Sequence, residues 1–198
     1  FPCTSLNKPE AFRPTDDESH YSLDLYLFGS NRCAMDVSVN HYSHTLENII
    51  EHAFLAQLGR CLWLQGVKDF EILRGDTDDH GHDVIVEANG VMRHIQLKAM
   101  YNKGRRKDVN VHVKLLKKPS ACVIWLIYDP ATLELTSFRW FGGEPGSPIP
   151  NIGDRVVRHS RANAQGIKAV RPNLRNVPQS WFETTDNIEE LTQRLFGV

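Results

Sequence analysis

The chain reads as an α/β protein: a mixed central β-sheet flanked by helices. Three observations predict it. A long helical stripe of apolar residues runs through Leu46, Ile49, Ile50, Ala53, Phe54, Leu58, Cys61 and Leu62. A hairpin pattern follows, two apolar-alternating runs joined at Asn89-Gly90. The third is the unbroken apolar run ACVIWLIY over 121–128, the mark of a strand covered on both faces. In order the chain gives helix, strands, helix, strands, helix within 198 residues, the length of a single domain with appendages. Residues 1–42 read as an N-terminal arm with a hairpin, 43–141 as the core, and 142–198 as a basic extension ending in a helix packed on that core.

Residues 1–19 are rich in Pro, Ser, Thr and acids and predict an irregular arm. Residues 21–28 and 33–39 alternate, and Gly29-Ser30-Asn31 between them suits a turn. Ser43 or Thr45 then caps the long helix, and Gly66 ends it. A strand is expected at 70–74, then the polar loop GDTDDHGH, then the hairpin strands 83–88 and 91–99. Residues 101–108 form a basic, turn-rich loop. The stretch 109–117 is ambiguous, alternating at first and helical later; a short helix ended by Pro119 is favoured. The buried strand 121–128 pairs with 133–141 across Asp129-Pro130. Residues 142–153 are a Gly/Pro loop, 154–175 are basic and irregular, and a last helix near 186–196 is capped by Asp186 and stopped by Gly197.

Composition excludes several classes. The chain is 41% hydrophobic and 24% charged, with no apolar run long enough to span a membrane. FPCTSLNKPE lacks the charged start and apolar centre of a signal peptide. The four cysteines have no CxxC spacing, and Cys61 and Cys122 sit among apolar neighbours, which predicts reduced, buried thiols and a cytoplasmic setting. The net charge of −1 hides an asymmetry: residues 1–100 carry 8 Lys/Arg against 15 Asp/Glu, and residues 101–198 carry 15 against 9. An acidic half beside a basic half suits a metal site next to a polyanion track.

Candidate chemistry gathers on the hairpin. Asp83 stands at the mouth of the first strand, where a carboxylate can project into a cleft. Gln96 and Lys98 lie two apart on the second strand and so share a face. Gln-x-Lys alone also fits an amphipathic strand with its polar face in water. The apolar Ile95, Leu97 and Ala99 on the other face, and Asp83 on the paired strand, favour a site. Glu51 lies within the apolar helix segment IIEHAFLAQL, where a carboxylate is costly unless paired or bound to metal.

A helix Glu followed by Asp-x12-Gln-x-Lys on a hairpin resembles the PD-(D/E)XK nuclease superfamily, in its variant with Gln for the second acid. The resemblance spans roughly 43–128. It implies a restriction-endonuclease-like core, with Glu51, Asp83 and Gln96 and the Leu97 backbone carbonyl holding Mg²⁺, for which Mn²⁺ would substitute. Lys98 would assist the attacking water; apart from the resemblance, Asp79 in the neighbouring acidic loop is a candidate for an outer or second-metal contact. The activity implied is phosphodiester hydrolysis, in DNA rather than RNA, by a protein without membrane contact; a homodimer is compatible. A Gln ligand removes one negative charge from the site, which leaves open a nuclease-fold protein that binds nucleic acid without cutting it.

Basic residues supply the expected nucleic-acid contacts: Arg105, Arg106 and Lys107 after the hairpin, then Arg158, His159, Arg161, Asn163, Lys168 and Arg171. Trp140 and Trp181 could stack on bases, but both read more readily as core. His80, His82 and His94 with Asp83 offer a zinc alternative that lacks a further ligand at a usual spacing.

Overall fold

The computed structural model describes residues 42–74, 81–159, 162 and 165–198. The expected N-terminal hairpin, the loop residues Asp79 and His80, and Arg161 and Asn163 lie outside the described residues. Helix α1, Ser43–Leu64, leads into an antiparallel run of β1 (Phe70–Arg74), β2 (Val84–Ala88) and β3 (Val91–Tyr101). The chain continues through β4 (Asp108–His112), a 3₁₀ turn (Val113–Lys117), β5 (Ala121–Tyr128) and β6 (Leu135–Gly142). It ends with β7 (Val156–Arg158), β8 (Val170–Pro178), a second 3₁₀ turn (Gln179–Trp181), β9 (Glu183–Thr185) and helix α2 (Ile188–Phe196).

Six strands form a mixed sheet in the order β1-β2-β3-β5-β6-β9, with β5 parallel to β3 and the other neighbours antiparallel. The α/β expectation and the central mixed sheet are therefore observed. A second sheet, β4-β8-β7, lies beyond that expectation. It covers the face of the large sheet opposite the helices, so three layers stack on one another.

The alternation of β5 builds both interfaces. Cys122, Ile124 and Leu126 pack with Ile50, Phe54, Leu58 and Leu62 of α1 and with Leu191 and Leu195 of α2. Val123, Trp125 and Ile127 pack with Val109 and Val111 of β4, Leu115 and Val177. All eight residues of β5 are buried, as a strand covered on both faces requires. The Cys122 thiol is pushed up to about 12 by burial, and Cys61 is also buried and free, so both behave as small core residues.

Local signals account for most boundaries. Asn89 and Gly90 both adopt positive φ, 51° and 72°, as a two-residue hairpin turn demands. Gly197 closes α2 in the left-handed region, with its N–H on the Gln193 carbonyl. The cap of α2 is Asn187, not Asp186: its side chain accepts from the N–H groups of Glu189 and Glu190. Likewise Tyr42, not Ser43 or Thr45, occupies the N-cap position of α1 and makes no side-chain cap bond. The short helix favoured over 109–117 divides instead. Its alternating first part is β4, because Val109 and Val111 face the core, and its second part is the five-residue 3₁₀ turn. The basic segment read as irregular supplies β7 and β8. Trp140 is core, but Trp181 is 45% exposed, lying beside Phe141.

Candidate active site

The cleft begins where β2 and β3 part. β2 is five residues long and β3 eleven, so β3 pairs with β2 only over Val91–Ile95 and then runs on beside β5. The last bond of this ladder is Asp83 N–H to the Ile95 carbonyl, 2.9 Å. Two residues on, Leu97 turns its N–H to the same side, where no strand remains to receive it. The Asp83 carboxylate takes that N–H at 2.6 Å. One of its oxygens is thereby fixed at the fork, and the Leu97 carbonyl lies on this open side as well.

Alternation along β3 places Gln96 and Lys98 on the face away from the helices, with Met100 farther along it in the second core. Gln96 is 6% exposed, and its Oε1 accepts the N–H of His112 on β4 at 3.3 Å. Lys98 is half-buried, and among the described residues it makes no ion pair.

Glu51 reaches the same cleft from α1. Its neighbour Ile50 is buried in the core, which turns Glu51 to the flank of the helix, half-buried. Its Oε2 accepts from Arg74 Nη2 at 2.6 Å. The carboxyl is nevertheless held above the ordinary carboxylate range. Burial is the largest cause and the Asp83 charge the next; Arg74 and Lys98 pull the other way without prevailing. Glu51, Asp83, Gln96 and Lys98 line one cleft of about 730 Å³, together with Arg106 and Arg171 from the second-sheet side.

Comparison with protein-family models, with curated proteins and with solved structures gives no match.

The chemistry of the site follows from its own donors. Glu51, Asp83, Gln96 and the Leu97 carbonyl offer only oxygen, which suits a hard divalent cation. The Asp83 charge raises the Glu51 pKa, a repulsion that a cation between the two carboxylates would relieve. Lys98 adds an ammonium on the same wall.

Some sequence expectations fall elsewhere. Arg105, Lys107, Arg158, His159 and Lys168 are exposed, but they do not line the cleft. Of the zinc alternative, His82 and His94 stack edge to face at 5.1 Å, and His94 Nδ1 donates to the Pro119 carbonyl at 3.0 Å. Burial holds His94 below the ordinary histidine range. The sequence pattern did not point to several cleft residues, among them Arg74, Asn110 and His112. The alternation Val109-Asn110-Val111-His112 was the available signal for the last two, hidden by reading the stretch as a helix. For Arg74 no pattern existed, since its role depends on how the end of β1 meets α1.

Proposed function

We propose that this chain is a metal-dependent nuclease with a restriction-endonuclease-like core, hydrolysing phosphodiester bonds in DNA rather than RNA. The observation that carries the reading is the convergence of Asp83, Gln96 and Lys98 at the β2–β3 fork, in one cleft with Glu51. The order helix, three antiparallel strands and a parallel return strand supports it. One difference is that a strand and a 3₁₀ turn stand where the resemblance implies a helix between β3 and β5.

Glu51, Asp83, Gln96 and the Leu97 carbonyl would hold Mg²⁺, or Mn²⁺ in its place. When bound, the ion supplies positive charge for the phosphoryl oxygens and lowers the pKa of a water. The Leu97 N–H fixes the Asp83 carboxylate, so that one oxygen stays aimed at the fork without reorganisation. The His112 N–H does the same for the Gln96 amide, turning its oxygen rather than its NH₂ toward β4. The Lys98 ammonium neutralises charge that develops on the phosphate during attack. Arg106 and Arg171 hold the backbone of the strand across the opening.

The test is cleavage of plasmid, single-stranded DNA and RNA with Mg²⁺, Mn²⁺ or EDTA. Cutting is expected with metal only, and Asp83→Ala or Lys98→Ala should lower it by at least about 100-fold, the usual scale for a lost charge-stabilising group. Metal-dependent cutting that survives both substitutions would remove these residues from the mechanism. A second reading, a binding module that does not cut, is favoured by Gln96 itself, an amide that adds no charge to the site. Metal-independent binding with no cleavage under any ion would select it.

A further inference from the structure

Arg74 closes β1 and stands between the sheet edge and α1. Its Nη2 holds Glu51 Oε2 at 2.6 Å, and its Nη1 lies 3.1 Å from His52 Nε2. A guanidinium only donates, so His52 Nε2 accepts, and the ring proton sits on Nδ1, which donates to the Asn48 carbonyl at 2.6 Å. Two consecutive helix residues thus face one guanidinium. The Arg74 side chain is 36% exposed and lines the same cleft as Asp83 and Lys98.

The charges decide what this does. Glu47, Glu51 and Asp83 bring three negative charges to the cleft, and Arg74, Lys98, Arg106 and Arg171 bring four positive ones, of which Arg74 is the one seated on a carboxylate of the site. A cation entering between the carboxylates must therefore oppose a guanidinium already seated on one of them. Even with water's full screening, a unit charge one carboxylate away weakens a divalent ion about tenfold. A phosphate is the other anion matched to the guanidinium fork.

We propose that Arg74 is the internal counter-ion of this site and a phosphate-binding residue. It holds Glu51 while no strand is bound and turns to a backbone phosphate when one enters, so that divalent metal and nucleic acid bind cooperatively. The inference rests on the nuclease reading and adds to it a residue and an order of events. By reciprocity, nucleic acid tightens metal as much as metal tightens nucleic acid.

Isothermal titration of Mg²⁺ into the full chain tests it, for wild type, Arg74→Gln and Arg74→Lys. Titrations are run alone and with phosphorothioate DNA, single-stranded and duplex, and circular dichroism checks folding. Arg74→Gln should bind Mg²⁺ about tenfold more tightly than wild type, and Arg74→Lys, which keeps the charge, should stay near wild type. DNA of either form should tighten Mg²⁺ several-fold more for wild type than for Arg74→Gln, where only the direct attraction between ion and phosphate remains. Equal or weaker Mg²⁺ binding by folded Arg74→Gln would overturn the proposal, and so would equal tightening by DNA in the two proteins, while the nuclease reading stands. A wild type that takes up no Mg²⁺ with or without DNA would overturn both.

Discussion

Glu51 is flanked by buried Ile50 and exposed His52, and its carboxyl holds its proton more tightly in the fold than an unfolded chain would. A raised carboxylate pKa means that the folded state binds more protons than the unfolded one through the window between the two values. The contribution of Glu51 to stability is therefore complete below the ordinary carboxylate pKa. It is lost as pH rises through the raised value. Glu51→Gln removes that loss while keeping the shape of the side chain. Its metal-free melting temperature should rise relative to wild type as pH increases from the acid side to neutrality, and thermal melts across that range check it. Parallel curves for the two proteins would mean that Glu51 is ionised as easily folded as unfolded. The Arg74 pair does not confuse the result, because a guanidinium this exposed adds little net stability. At this scale the sequence was informative wherever chemistry follows from periodicity. Gln96 and Lys98 share a face because strands have period two, and Asp83 meets them because the turn at Asn89-Gly90 sets the register. Arg74 was not legible, because it reaches the cleft only where the end of β1 meets α1, and the alternation that carries His112 was masked by the helical pattern that follows it.

Among elements, β3 organises the most. One of its faces carries Gln96 and Lys98, while Arg93 near its start points the other way and secures α2. Arg93 is fully buried; its Nε donates to the Leu195 carbonyl at 2.7 Å and its Nη2 to the Arg194 and Gly143 carbonyls at 3.0 and 3.1 Å. The Leu195 and Arg194 carbonyls lie at the last turn of α2, where the dipole favours a cation, and the Gly143 carbonyl follows β6. The ring of Trp140 lies 5.2 Å from the guanidinium carbon. Burial lowers the Arg93 pKa from its ordinary value. Arg93→Leu should cost about 3 kcal/mol, since charged hydrogen bonds are lost and helix-end carbonyls are left buried. For a domain of this size that corresponds to a drop of roughly 10 °C in melting temperature, read by circular dichroism. A drop of only a degree or two would show that water replaces the guanidinium without penalty. Helix α2 itself was legible from its Gly197 stop. Its anchor was not, because a lone Arg in an alternating strand reads as solvent-facing. The same limit hid β4, where two apolar residues in alternation were outweighed by the Lys-Leu-Leu-Lys that follows.

For the molecule as a whole, the three layers put opposite charges on the two walls of one cleft. The helix side brings Glu51, and the second sheet brings Arg171 from β8. Between Arg155 and Phe182 the chain has no acidic residue and six Lys or Arg. From sequence that stretch looked like one continuous clamp. Folding divides it, because β8 is held between β4 and β7: Arg171 lines the cleft, while Arg158 and Lys168 do not. Arg106 lines the cleft too, from the loop that joins β3 to β4. If nucleic acid is drawn to this cleft rather than to a diffuse basic surface, position should matter more than charge count. The double variant Arg106→Glu, Arg171→Glu and the double variant Arg158→Glu, Lys168→Glu change net charge equally. The first should weaken DNA binding and reduce the slope of log affinity against log salt by roughly 2, one phosphate per lost contact. The second should leave most of that slope in place. Fluorescence anisotropy with labelled DNA over a salt series, without divalent metal, measures both. Equal losses in the two variants would mean that DNA follows the summed charge of the second sheet, and the cleft would lose its claim to be the path of the substrate.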